Sequence, residues 1–149
     1  MNIGGYKYNK KTKTFPVFIN YDKQENISDT TKYEDHFISS NHLIAISKSG
    51  RSLESEDVQN FLKATERGID VQLFVRKNKD DKISKEFYYL GRMTATGQAR
   101  EFIMQNTDKT AVEIEWILNT PVREDIYEYI VNLFVPVKLI VIKGKSSKD

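Results

Sequence analysis

Residues Phe15 to Tyr21 alternate well enough in polarity to predict a strand, and Pro16 places it at a strand start or an edge. Lys10-Lys11-Thr12-Lys13, between this run and Tyr6-Lys7-Tyr8, reads as a basic hairpin turn. Residues 22–32 are polar and predict a loop, and a connection of that length in a small domain is often functional. His42 to Ser47 predicts a second strand, ending in a Ser47-Lys48-Ser49-Gly50-Arg51 turn. A helix follows over Ser55 to Arg67: Glu56 and Asp57 load its first turn with acid, Val58, Phe61 and Leu62 form the apolar stripe, and Gly68 stops it. Ile69 to Arg76 and Glu86 to Met93 read as strands joined by a charged hairpin, and Arg100 to Gln105 as a further strand. Ala111 to Leu118 alternates clearly, with Val112, Ile114, Trp116 and Leu118 on one face, which places Trp116 in the core. Thr120 and Pro121 predict an N-cap and a first helical residue, with Ile126, Ile130 and Leu133 on one helix face. Lys138 to Ile142 predicts a short closing strand. Six or seven strands and two helices fit an α+β fold with a curved or barrel-like mixed sheet.

Composition narrows the function classes. The chain has 149 residues, enough for one domain with a buried core, and is 39% hydrophobic and 30% charged. No apolar run is long enough to span a bilayer: the stretch from Val135 to Ile142 is short and contains Pro136 and Lys138. The absence of cysteine excludes disulfides, thiolate chemistry and cysteine-ligated zinc, and fits a reducing, cytoplasmic location. His36 and His42 do not have a metal-ligand spacing, so neither metal nor cofactor is expected. Glu54, Glu56 and Asp57 read as helix-start charges, and Glu113 and Glu115 as the solvated face of a strand. No catalytic residue stands out. The net charge of only +2 means that a nucleic-acid binder of this size must concentrate its cations on one face.

The most informative stretch runs from Phe74-Val75-Arg76-Lys77 to Phe87-Tyr88-Tyr89-Leu90-Gly91, aromatic runs flanking a basic hairpin. Cations neutralise phosphates and aromatic faces stack on bases, a combination that points to nucleic acid. The plainer alternative is a hairpin with aromatics in the core and charges that keep an edge soluble. Phe87 and Tyr89 share one face and Tyr88 and Leu90 the other, so this strand could be buried on both sides.

The order of such runs carries more. Gly4-Gly5-Tyr6-Lys7-Tyr8, Phe15 to Tyr21, Tyr33-Glu34-Asp35-His36-Phe37-Ile38-Ser39, Ile46-Ser47-Lys48-Ser49-Gly50-Arg51 and the two runs above follow one another over residues 2–120. This series resembles the C-terminal domain found after phospholipase-D-like nuclease and helicase modules in modification-dependent type IV restriction enzymes. The resemblance implies a piece of a larger enzyme: a domain, over residues 1–143 with a disordered tail at 144–149, similar to SRA and PUA-like readers. It implies recognition of double-stranded DNA carrying 5-methylcytosine or 5-hydroxymethylcytosine, with the nuclease and helicase modules as partners and catalysis belonging to them. One departure is Ile44-Ala45-Ile46, where the resemblance leads one to expect an aromatic before the serine.

Within that frame Tyr33, Asp35 and Phe37 are candidates for a flipped-base pocket. The rings would stack on the base, and Asp35 would accept a hydrogen bond from the cytosine N4 amine while rejecting thymine O4. Ser47 could line the same pocket. The alternative is that Phe37 and Ile38 anchor a loop and Asp35 caps a turn. Lys10, Lys11, Lys13, Lys48, Ser49, Arg51, Arg76, Lys77, Lys79, Arg92 and Arg100 are candidate DNA-backbone contacts. Two rivals predict other surfaces. A domain that docks nuclease to helicase predicts an exposed apolar patch. A general single-strand binder predicts indifference to the base.

Overall fold

The computed structural model describes residues 3–21, 35–77, 87–105 and 107–131. The predicted strand at Lys138 to Ile142 and the tail lie outside them, as do Leu133 and all of the predicted loop at 22–32. Seven strands form one mixed sheet: β1 (Ile3–Tyr6), β2 (Thr14–Asn20), β3 (His36–Ser39), β4 (His42–Ile46), β5 (Asp70–Arg76), β6 (Tyr88–Ile103) and β7 (Thr110–Leu118). Their spatial order is β1-β2-β5-β6-β7-β4-β3. Only β2 and β5 run parallel, and the connection between them carries β3, β4, α1 (Glu56–Leu62) and α2 (Ala64–Arg67). A third helix, α3 (Glu124–Val131), follows β7.

The alternation seen in the sequence becomes a two-sided sheet. Phe15, Val17 and Ile19 of β2 and Val71, Leu73 and Val75 of β5 turn inward. They meet Leu43 and Ala45 of β4 and Ile114, Trp116 and Leu118 of β7 in a single core. Phe61 of α1 is the hub, stacked on Phe15 at 4.3 Å and meeting Trp116 edge-on at 5.4 Å.

One strand, β6, serves both halves of the sheet. Its first residues pair with β5, and Met93 to Ile103 pair with β7. Between Ala95, opposite Trp116, and Ala99, opposite Ile114, β6 inserts Thr96, Gly97 and Gln98 against Glu115 alone. Gly97 sits at φ 101°, a conformation that side chains with a Cβ rarely adopt, and the bulge bends the strand. Two strands predicted separately, Glu86 to Met93 and Arg100 to Gln105, thus belong to one.

The sheet does not close into a barrel. It ends at β1 and β3, each of four residues, which do not pair with one another. Side chains stitch the seam instead. The Phe37 N–H donates to the Tyr21 hydroxyl at 2.8 Å, and the Lys48 N–H to the Tyr6 hydroxyl at 3.1 Å.

Among the described residues there are three helices rather than two. Lys63, at φ −109° and ψ 23°, interrupts the predicted single helix and separates α1 from α2, and Gly68 ends α2 in the left-handed region at φ 70°. The last helix starts at Glu124, not Pro121. The Val122 N–H is held by the Ser40 carbonyl at 2.8 Å, which ties that residue to the β3–β4 turn and away from the helix. Among the described residues no helix is long and apolar enough to cross a membrane.

Burial pushes the Tyr21 phenol up to about 12, partly offset by the hydrogen bond it accepts from Phe37. A phenol held above its ordinary value of 10 stabilises the fold fully below that pH, and the contribution disappears as pH rises toward 12. Alkaline unfolding should therefore show a loss of stability across this window that is smaller in Tyr21→Phe, read by denaturant midpoints at increasing pH. An identical pH profile for both proteins would exclude Tyr21 as the source.

Candidate functional site

Beside the seam, β1, the turn after it, the β4–α1 loop and α1 surround an open groove of about 580 Å³. Lys7, Lys10, Lys48 and Arg51 line it, outnumbering the carboxylates of Glu56 and Asp57, with Tyr6, Tyr8 and Asn60 between them. The Asn9 side chain shapes the turn that presents Lys10, accepting the Lys11 and Thr12 N–H groups at 3.0 and 3.2 Å.

Two of the cations are held in place from below. Tyr6, nearly buried, donates its hydroxyl to Asp57 Oδ2 at 2.7 Å, and the same oxygen accepts Arg51 Nε–H at 2.8 Å. Lys48 Nζ donates to the Tyr6 carbonyl at 3.2 Å and lies 4.5 Å over its ring. Burial, reinforced by the bond to Asp57, pushes the Tyr6 phenol well up, so it remains a donor. Burial alone would raise Asp57, but the bonds from Tyr6 and Arg51 outweigh it and hold the carboxyl below its ordinary range. One buried tyrosine and one carboxylate thus order a lysine and an arginine along a groove wall, which lowers the entropic cost of gripping an anion there.

Of the residues singled out from sequence, Lys10, Lys48 and Arg51 come together in this groove, with Ser49 exposed on the loop between the last two. Lys11 is exposed on the adjoining turn. The others are spread over the molecule. Lys13 donates to the Arg67 carbonyl at the end of α2, and Lys77 to the Tyr129 carbonyl of α3. Arg92 pairs with Asp70 and Arg100 with Glu113, while Arg76 lies over the Phe87 ring. Tyr33 and Lys79 lie outside the described residues.

The proposed pocket residues that are described face inward. Asp35 is fully buried and accepts the Ile46 N–H at 2.7 Å. The Phe37 ring lies 5.6 Å from Tyr21 and 5.7 Å from Tyr127. Ser47 extends the β4–β7 pairing, its hydroxyl accepting the Val112 N–H at 2.9 Å. Glu113 and Glu115, read as a solvated face, are engaged with Arg100 and His42.

Sequence reasoning missed Tyr6, Lys7, Tyr8, Asp57 and Asn60 as groove residues. The available signal was the closeness of Tyr6-Lys7-Tyr8 to the basic Lys10-Lys11-Thr12-Lys13 turn, which puts rings and cations in one short segment. Among the described residues no group of three His, Cys, Asp or Glu is placed to hold a metal.

A family model described as a domain of unknown function, DUF3427, matches residues 1–130. The chain belongs to the DUF3427 family. No curated protein matches it in sequence. Among solved structures, the DUF3427 domain is weakly similar to the SRA domain of SUVH5. The complex with hemi-methylated CG DNA gives a TM-score of 0.49 at 15% identity, over 81% of this chain and 77% of that one. The complex with fully methylated CG DNA gives 0.48 at 12% identity, over 82% and 78%. The complex with methylated CHH DNA gives 0.46 at 13%, over 83% and 76%.

Proposed function

We propose that this domain binds duplex DNA through its basic groove and reads modified cytosine, 5-methylcytosine or its hydroxymethyl form, for nuclease and helicase modules of a longer chain. The observation that carries the DNA-binding part is the groove itself, where Lys7, Lys10, Lys48 and Arg51 converge and Tyr6 and Asp57 fix the last two. Phosphates are the anions that such an array of lysine and arginine suits. The modified-base part rests on the resemblance of the ordered sequence runs to modification-dependent restriction enzymes.

The two parts fit along the chain. Asp35 is bonded to Ile46, and Ser47 leads directly into Lys48, so two residues, a reach of about 7 Å, separate the Asp35 contact from the cationic wall. An extruded cytosine would enter among Tyr33, Asp35, Phe37 and Ser47 while the groove holds its flanking phosphates. Flipping costs a few kcal/mol, which stacking and a hydrogen bond to the N4 amine offset. Because Asp35 and Phe37 are packed inward, capture requires their segment to open. No reaction is assigned to the domain.

The test is binding to matched duplexes with and without 5-methylcytosine at fixed, near-physiological salt. A preference of about tenfold, equivalent to about 1.4 kcal/mol, is expected for the modified duplex. Equal affinities would remove the modification reading and leave an electrostatic DNA binder. No binding to either would remove both parts.

A further inference from the structure

The inward side of β2 and β5 carries the ring of Phe15 with aliphatic Val17, Ile19, Val71, Leu73 and Val75. Outward, the register aligns Phe18, Phe74 and Tyr89 in one row across the strands. Phe18 and Phe74 stack at 4.8 Å, Phe74 and Tyr89 meet at 5.0 Å, and Phe87 closes on Phe18 edge-on at 5.2 Å. Tyr89 remains 54% exposed, so the expected burial of both sides of β6 does not hold.

Guanidinium groups flank the row. Arg76 lies 4.5 Å over Phe87 and donates to Asn20 Oδ1 at 2.8 Å. On the other side Gln72 and Arg92 are cross-strand partners, and the Arg92 side chain is 65% exposed while bridging to Asp70. Asp70 is the only carboxylate at these outward positions among the described residues.

We propose that this face is a second nucleic-acid surface, separate from the groove, on which about two or three bases of a single strand stack. Two features favour this occupant. The row presents four aromatic side chains, Tyr89 among them exposed, and rings offer the π faces on which any base stacks. The charge excess beside the row is cationic, complementary to a phosphate backbone.

The experiment measures short oligothymidylate and duplex DNA binding, by fluorescence anisotropy, to the 149-residue chain and three variants. Tyr89→Ala removes an exposed ring, and Phe74→Leu keeps apolar volume while removing a π face; thermal melting confirms that both are folded. Each should weaken oligothymidylate binding about tenfold and leave duplex affinity unchanged. Lys7→Glu/Lys10→Glu, in the groove, should chiefly weaken the duplex. The platform is overturned if Tyr89→Ala and Phe74→Leu bind oligothymidylate as the parent chain does, or if the parent does not bind it. It is equally overturned if Tyr89→Ala abolishes self-association in sedimentation without touching oligothymidylate binding, since the face would then be a protein contact. Failure of the duplex arm alone bears on the groove and leaves this surface standing.

Discussion

Reversing the charge of Lys7 and Lys10 together should weaken duplex binding on the order of a hundredfold at near-physiological salt. Both side chains are exposed and line the groove, so Lys7→Glu/Lys10→Glu should melt at the temperature of the parent chain. Each phosphate contact releases condensed counterions and contributes about 0.9 to the slope of log affinity against log salt. Losing two contacts should therefore flatten that slope by about two, and the loss should be equal for methylated and unmethylated duplexes, because phosphates carry no base information. Arg51→Ala should act differently. It removes a cation but also one of the two side-chain donors to Asp57, so some stability goes with the affinity. An unchanged salt slope in the double variant would show that DNA does not lie in this groove.

Trp116→Ala should cost about 3–5 kcal/mol of folding stability, a large share of the roughly 5–15 kcal/mol that a domain possesses. Trp116 is 1% exposed, sits opposite Leu43 on one neighbouring strand and Ala95 on the other, and meets Phe61 edge-on. Its removal would leave a void between the two sheet halves at the point where α1 plugs them. The variant also loses the chain's only tryptophan, so unfolding must be followed by far-ultraviolet circular dichroism in denaturant. Trp116→Phe should retain more than half of the lost stability. A cost below about 1 kcal/mol for the alanine variant would show that this part of the core collapses to fill the space.

The core was legible because it is written in local periods. Val112, Ile114, Trp116 and Leu118 announce one face of β7, and Phe15, Val17 and Ile19 one face of β2, without reference to any partner. What escaped depends on distant parts of the chain. The β6 strand continues through Thr96-Gly97-Gln98, residues that resemble a break until β7 pairs on either side of them. The four-residue β3 is held by Leu43 and Ile44 across the turn and by Tyr21 from elsewhere. The last helix starts late because Ser40 restrains Val122. The groove is equally non-local. Tyr6 and Asp57 are 51 positions apart, and no spacing rule brings a tyrosine of a first strand to an aspartate of a helix. Lys10, Lys48 and Arg51 could be named as cations; that they share a wall while Arg76, Lys77 and Arg92 do not required the fold.

The tyrosine seam has a mechanical consequence. A barrel closed by a backbone ladder would have to break a whole row of cooperative bonds to widen, whereas this sheet is fastened at its free ends by two phenols. Each such bond contributes about 0.5–1.5 kcal/mol, so the clasp is weak beside the fold it closes. The shared core holds the two halves together, and the phenols only close the edge, so the amide protons of Phe37 and Lys48, the two that they cover, are more open to exchange with solvent than the ladder amides of the same sheet.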